Sequence, residues 1–130
     1  MTKKLTITVE PGTYSICRLP SDSPLPPVPE SGFASFTLAA PEYSLVCDSG
    51  QIPNVWKREG RIESGYSLMR VDGPLPLRAV GIIAKISSTL AAASIPVFVL
   101  STFDTDYILV ARDRLDEACS ALERAGISIG

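Results

Sequence analysis

Apolar residues in the middle of the chain switch between two spacings, and each switch predicts a new element. Tyr66–Val71 is dense in β-forming residues and predicts a strand. From Ala79 to Ser94 the apolar residues recur every three or four positions, which predicts a helix. Pro96 ends this helix, because the residue before a proline avoids the helical region. Two further β-rich runs predict a hairpin with a tight turn between them: Val97–Ser101 and Tyr107–Val110.

The C-terminal segment predicts a second helix and a closing strand. Asp113 is a candidate N-cap, and Asp116 follows three residues later in a capping-box-like position. An apolar stripe at helical spacing comes next, and Gly126 suits the position after a helix end. Ile127–Ile129 alternates and predicts a strand. Residues 61–130 therefore predict the order β-α-β-β-α-β, which is an α+β fold of the ferredoxin-like type.

The first part of the chain predicts strands without a comparable helix. Its apolar residues alternate with polar ones in four runs, which predict strands: Leu5–Val9, Tyr14–Leu19, Gly32–Leu38 and Glu42–Cys47. Residues 20–31 contain five prolines, which exclude a regular helix interior. We expect a rigid crossover there, with an SH3-type ligand as the alternative.

Two short matches indicate an internal duplication. Tyr14–Leu19 resembles Tyr66–Val71, and Tyr43–Val46 resembles Tyr107–Val110, in the same order along the chain. The alternative is chance similarity between short β segments.

The polar segment 51–64, which contains Trp56 and a cluster of charges, is predicted to connect the two copies. We therefore predict two units. Residues 1–60 form the first, which is poor in helix, and residues 61–130 form the second, which has the complete βαββαβ order.

Composition narrows the class of protein. The chain has 130 residues, 45% of them hydrophobic and 20% charged, which is typical of a soluble globular protein. A formal net charge of −2 argues against nucleic acid as a partner. No apolar run approaches the roughly 20 residues of a membrane span, and no segment resembles a secretory signal. We expect a cytoplasmic protein that does not bind a membrane.

The sequence offers little for catalysis. Histidine, the commonest general base, is absent. Cys17, Cys47 and Cys119 are odd in number and lack CxxC spacing, so we expect buried free thiols, with disulfides as the alternative. No GxSxG, GxGxxG or phosphate-binding loop is present. We predict no catalytic residue and no cofactor, with an unrecognised small enzyme as the least favoured alternative.

Three segments resemble the ACT domain: DGPL at Asp72–Leu75, GIIAKISSTLAAASIPVFVLST at Gly81–Thr102 and FDTDYILV at Phe103–Val110. Phe33–Pro53 resembles the matching part of a first repeat. The subgroup is that of the short bacterial tandem-ACT proteins, related to the CASTOR arginine sensors and to the regulatory domains of aspartokinases. This resemblance implies two ACT-like units packed side by side and a non-catalytic regulatory module that binds a small amino-acid-like ligand at an interface.

The same resemblance implies a ligand site between the loop after the first strand, the glycine at the helix start and the second strand. The corresponding residues here are Asp72, Gly73, Pro74, Gly81, Ile82, Ser101, Thr102, Phe103 and Asp104. A glycine near a helix start lets backbone N–H groups approach a carboxylate, although Gly81 could equally serve only the loop's backbone angles. Of the hydroxyls of Ser101 and Thr102, only one is expected to point to the site, since neighbouring strand residues face opposite ways.

Asp104 is the better candidate for pairing with a ligand cation. A metal site at Asp104 and Asp106 is the weaker interpretation, because turns favour aspartate and no third oxygen-rich cluster is present. We therefore predict no metal. The alternative function is a structural or protein-interaction ACT module without a ligand. A homodimer is expected under either function, since exposed sheet edges are ready pairing surfaces.

Overall fold

The computed structural model describes residues 4–22, 24–76 and 78–130. The chain divides into two compact units. The proline-rich unit is Gly12–Gly65, and the two-helix unit contains the residues up to Pro11 together with Tyr66–Gly130. The elements in chain order are β1 Thr6–Val9, β2 Tyr14–Pro20, β3 Ala34–Leu38, β4 Glu42–Asp48, α1 Asn54–Glu59, β5 Arg61–Val71, α2 Ile82–Ala92, β6 Phe98–Ser101, β7 Asp106–Ala111, α3 Leu115–Arg124 and β8 Ser128–Ile129.

The two-helix unit combines five strands with α2 and α3. Its strand order is β8–β1–β5–β7–β6, in which β1 is antiparallel to β5 and parallel to β8. β7 is antiparallel to both β5 and β6. Its core is formed by alternate residues of the strands and the inner faces of both helices, including Ile7, Met69, Val71, Ile86, Leu90, Ile108 and Leu122. The predicted α+β, ferredoxin-like fold is confirmed.

The N-terminal strand does not follow the predicted division at residues 60 and 61. β1 lies between β5 and β8, with Ile7 opposite Val71 on one side and Ile129 on the other. β8 therefore pairs with β1, and the residues before Pro11 belong to the same unit as the C-terminal helices. Alternation of apolar residues predicts that a strand forms, but it does not name the strand's partner.

The proline-rich unit has the strand order β3–β4–β2–β5, and it includes β5 as far as Gly65. Its core centres on Trp56, which is completely buried. The Trp56 indole N–H donates a hydrogen bond to the backbone oxygen of Pro27 at 2.9 Å. Residues 24–30 form neither helix nor strand, which agrees with the predicted crossover.

The helices differ from the predicted ones at α1, at both ends of α2, which stops at Ala92 and not at Ser94, and at the start of α3. α1 was predicted only as part of a connection, since six residues are too few to show helical periodicity. α2 begins at Ile82, three residues later than predicted, because Gly81 has a φ of 85° and acts as the N-cap. Asp113 is not the N-cap of α3. Residues 112–114 form a 3₁₀ turn, and Arg114 takes the N-cap position without a side-chain bond.

The three cysteines are free, as predicted: Cys17 and Cys47 are buried and Cys119 is partly buried. In the described part of the chain, no helix is long and apolar enough to cross a membrane.

Candidate functional site

An open cleft of about 300 Å³ lies in the two-helix unit, where α2 begins and where the chain turns from β6 to β7. One wall comes from the segment before α2 and its first turn, and the other from the end of β6 and the turn that follows. The lining residues are Leu75, Pro76, Ala79, Gly81, Ile82, Ile83, Ala84 and 101–106.

The start of α2 presents backbone donors to this cleft. The first backbone bond of the helix runs from Lys85 N to Gly81 O at 3.0 Å, and the N-cap has no side-chain bond. The N–H groups of residues 82–84 therefore precede the regular helical bonds, and all three residues line the cleft. Free N–H groups at a helix start attract a carboxylate. Gly81 supports this arrangement, since a positive φ is strained in a residue with a Cβ.

The opposite wall is a four-residue turn that closes on its own threonines. Thr102 N donates to Thr105 O at 2.8 Å, and Thr105 N donates to Thr102 Oγ1 at 3.3 Å. Phe103 and Asp104 lie at the tip of the turn, and Phe103 is 77% exposed. β6 ends at Ser101, so Thr102 belongs to the turn and not to the strand. Ser101 and Thr102 therefore both line the cleft, although alternation along a strand would have separated them.

The charged groups of the cleft are carboxylates. Asp106 accepts a hydrogen bond from Ser101 Oγ at 2.6 Å. The Asp104 carboxylate makes no hydrogen bond or ion pair with any residue in the described ranges. Among the described residues, the lining contains no lysine or arginine. The cleft thus offers N–H donors from the start of α2 and an unpaired carboxylate from the turn.

The structure brings six of the nine predicted site residues together around the cleft: Gly81, Ile82, Ser101, Thr102, Phe103 and Asp104. Asp72, Gly73 and Pro74 are not among the lining residues. Asp72 accepts a hydrogen bond from Thr8 Oγ1 at 2.7 Å and lies 3.5 Å from Arg70 Nη1. Gly73 packs against the back of the turn, next to Asp104 O and Thr105 Cβ.

Some residues that line the cleft were not among the predicted site residues. Leu75 and Pro76 directly follow the predicted loop, so the chain enters the cleft one residue after the predicted end of that loop. Thr105 could not be predicted from the sequence, because its buried hydroxyl donates a hydrogen bond to a strand that is distant along the chain. In the described part of the chain, no three acidic, cysteine or histidine residues are grouped as metal ligands would be.

The cleft lies in the region that matches a protein-family model, which is that of the ACT domain and covers residues 61–124. Protein Atu0741 from Agrobacterium tumefaciens, a crystal structure, shares 31% identity and a TM-score of 0.86, covering 99% of this chain and 94% of that one. The regulatory subunit of aspartate kinase from Thermus thermophilus has a TM-score of 0.60 at 7% identity, over 92% and 96% of the two chains, and shows the same fold.

The cytosolic arginine sensor for mTORC1 subunit 1 from Bos taurus is 35% identical over 66 residues. These residues are 50% of this chain and 20% of the sensor, so the chain matches about a fifth of that relative's length. The residues that match the family model contain α2, β6, the turn and β7, which are the elements that build the cleft. On its sequence match, the segment of residues 61–124 of this chain belongs to the ACT domain family.

Proposed function

We propose that the chain is a non-catalytic regulatory module that binds a free amino acid in the cleft of the two-helix unit. The observation that carries this proposal is that the unpaired Asp104 and the residues with free N–H groups at the start of α2 line the same cleft. An amino acid with a cationic side chain suits both: its carboxylate suits the N–H groups, and its side-chain cation suits Asp104. A volume of about 300 Å³ is at the small end of the ligand-site range.

The charge of the cleft favours an amino acid with a cationic side chain. Asp104 and Asp106 both line the cleft, and no basic side chain is found among the described lining residues to balance them. An acidic side chain would be repelled there, and a cationic one would be attracted. A relative that is 35% identical over 66 residues is called an arginine sensor, which supports the same ligand class.

Calorimetry against the common amino acids tests the proposal. We expect L-arginine or L-lysine to bind, L-citrulline to bind more weakly than L-arginine because it has the same shape without the charge, and L-glutamate not to bind. Asp104→Asn should lower the affinity for L-arginine about tenfold, as expected for the loss of one charge-assisted hydrogen bond, and leave that for L-citrulline nearly unchanged. Flat traces for every amino acid at millimolar concentration would reject the proposal.

A second candidate function is a protein-interaction module. Val80, between the lining residues Ala79 and Gly81, and Phe103, at the tip of the turn, are 92% and 77% exposed. Large exposed apolar side chains favour contact with another polypeptide. Thermal melting separates the two functions. A ligand at a hundred times its dissociation constant adds about 2.7 kcal/mol of stability, whereas a module without a ligand melts at the same temperature with and without amino acids.

A further inference from the structure

The turn that brings Asp104 to the cleft is fixed from outside as well as from within. Thr105 is buried, and its Oγ1 donates a hydrogen bond to the backbone oxygen of Val71, the last residue of β5, at 2.5 Å. Leu75 N donates to Asp104 O at 2.7 Å. Two consecutive residues of the turn are thus bonded to the segment that leaves β5.

Gly73 allows this segment to approach the turn. A Cβ at position 73 would lie 3.0 Å from Leu75 N, 3.2 Å from Asp104 O and 3.2 Å from Thr105 Cβ. Each of these distances is shorter than an ordinary van der Waals contact, so a side chain would force the segment away from the turn. The close approach at Gly73 and the two hydrogen bonds form one contact, which we call the turn anchor: Gly73, Leu75 N and Thr105 Oγ1.

The turn does not need this anchor for its own shape. The bonds between Thr102 and Thr105 close the turn without help from Gly73 or from the Thr105 hydroxyl. The anchor instead fixes the position of the turn relative to β5. A charged group that is already held where the ligand needs it loses less conformational entropy on binding than a mobile one.

We propose that Thr105 and Gly73 are positioning residues, which set the place of the Asp104 carboxylate and thereby the preference of the cleft for a cationic ligand. This inference rests on the proposed function. Both residues act through Asp104 and not through a contact with the cationic group. Gly73, which family resemblance alone assigns to the ligand, thus has a role behind the turn.

Thr105→Val tests the anchor with almost no change of shape, because valine replaces the hydroxyl by a methyl group. We expect a weaker affinity for L-arginine by about fivefold, which corresponds to one lost hydrogen bond, and little change for L-citrulline. The preference for the cationic ligand should therefore fall, which a general loss of stability would not produce. Thr105→Ser keeps the hydroxyl and should retain the preference.

Two further variants complete the test. Gly73→Ala should push the turn away from the segment after β5, because the added Cβ crowds the turn. It should therefore lower the preference for L-arginine over L-citrulline, as Thr105→Val does. Thr89→Val is the matched control, since Thr89 Oγ1 also donates to a backbone oxygen, that of Lys85 at 2.7 Å, on the exposed side of α2. It should leave both affinities unchanged.

Amide hydrogen exchange provides a readout without any ligand. The Leu75 amide, which is bonded to Asp104 O, should exchange about tenfold faster in Thr105→Val and Gly73→Ala than in the wild type and in Thr89→Val. If the wild type binds no amino acid, the proposed function fails and this inference fails with it. If the wild type binds L-arginine and the two anchor variants keep its full preference over L-citrulline, the inference alone is overturned.

Discussion

The three thiols of this chain differ in burial, and their chemistry should follow it. Cys17 and Cys47 lie in the core of the proline-rich unit and are 1% and 0% exposed. Burial raises the pKa of both thiols, and that of Cys47 rises from 9.0 to about 11 with smaller contributions from Cys17 and Asp48. Cys119 is only partly buried, although its pKa is raised as well. Because the thiolate is the reactive form, buried thiols with raised pKa values are poor nucleophiles.

We predict that an aromatic disulfide reagent at pH 8 modifies Cys119 first, and Cys17 and Cys47 only when the chain unfolds. The folded state holds the Cys47 proton more tightly than the unfolded state does. Its contribution to the free energy of unfolding is therefore complete below pH 9 and is lost as the pH rises towards about 11. Urea titrations from pH 8 to 11 measure this loss. Cys47→Ala should remove part of it, and equal modification rates for all three thiols would contradict the burial.

Gly81 and Gly126 form a matched pair for separating binding from stability. Their φ angles are 85° and 90°, and neither would bring a Cβ within 4 Å of another atom. Alanine should therefore cost a similar amount of stability at both, about 1–2 kcal/mol from backbone strain. Only Gly81 lines the cleft. We predict that calorimetry shows weaker L-arginine binding for Gly81→Ala and wild-type binding for Gly126→Ala; equal binding by both variants would show that Gly81 serves the backbone alone.

The resemblance to the ACT domain pointed to the residues of the cleft but not to the way the cleft is supported. Glycine at a helix start and aspartate at a turn tip also have local causes, so Gly81 and Asp104 carry a signal in the sequence itself. The hydroxyl of Thr105 bonds an oxygen 34 positions away. The role of Gly73 likewise depends on backbone that lies far along the chain. Contacts of this kind leave no periodicity, so only coordinates show them.

Among the elements, the positions of the strands were predicted better than the correspondence between the strands of the two units. The matching segments lie on strands with equivalent places in the orders β5–β2–β4–β3 and β1–β5–β7–β6, but the second of the two matches is displaced. Tyr43 faces the core beside Trp56, whereas Tyr107 pairs with Arg70 on the sheet face away from Met69 and Val71. Since side chains alternate along a strand, a shift by one residue places aligned tyrosines on opposite faces. The order of the strands therefore favours an internal duplication more than the two short sequence matches do.

The proline-rich segment is held in place by the only tryptophan of the chain. Trp56 on the short helix α1 donates to Pro27 O, and its ring meets Phe36 edge to face at 6.2 Å. A six-residue helix has little stability of its own, so packing must hold it. The buried indole thus joins two elements that lack a regular pattern of their own.

We predict that Trp56→Phe lowers the free energy of unfolding by roughly 2 kcal/mol, because it removes the bond to Pro27 and leaves a void in the core. Urea unfolding followed by circular dichroism measures the change. Phe103→Leu is the control: it replaces an aromatic residue that is 77% exposed, and it should shift stability by less than about 0.5 kcal/mol. A Trp56→Phe protein as stable as the wild type would show that the segment is held by other contacts.

At the level of the complete chain, the N-terminal strand belongs to the sheet of the C-terminal elements, although it is far from them in the sequence. β1 exchanges backbone bonds with both neighbours: Asp72 N donates to Thr6 O at 2.8 Å, and Gly130 N donates to Ile7 O at 2.8 Å. The family model covers only residues 61–124, and residues 61–130 alone have the full βαββαβ order. The strand that completes their sheet nevertheless comes from before Pro11.

We predict that a fragment of residues 61–130 does not fold cooperatively, because it leaves β5 and β8 without the strand between them and removes Ile7 from the core. In the full chain, Ile7→Ala should lower the free energy of unfolding by about 2–5 kcal/mol. Thr6→Ala, on the same strand but outside that core, should change it by less than about 0.5 kcal/mol. Circular dichroism melts of the fragment and of both variants measure these effects. A sharp melting transition for the fragment would mean that the C-terminal elements pair among themselves, and β1 would then be an addition to a sheet that is already complete.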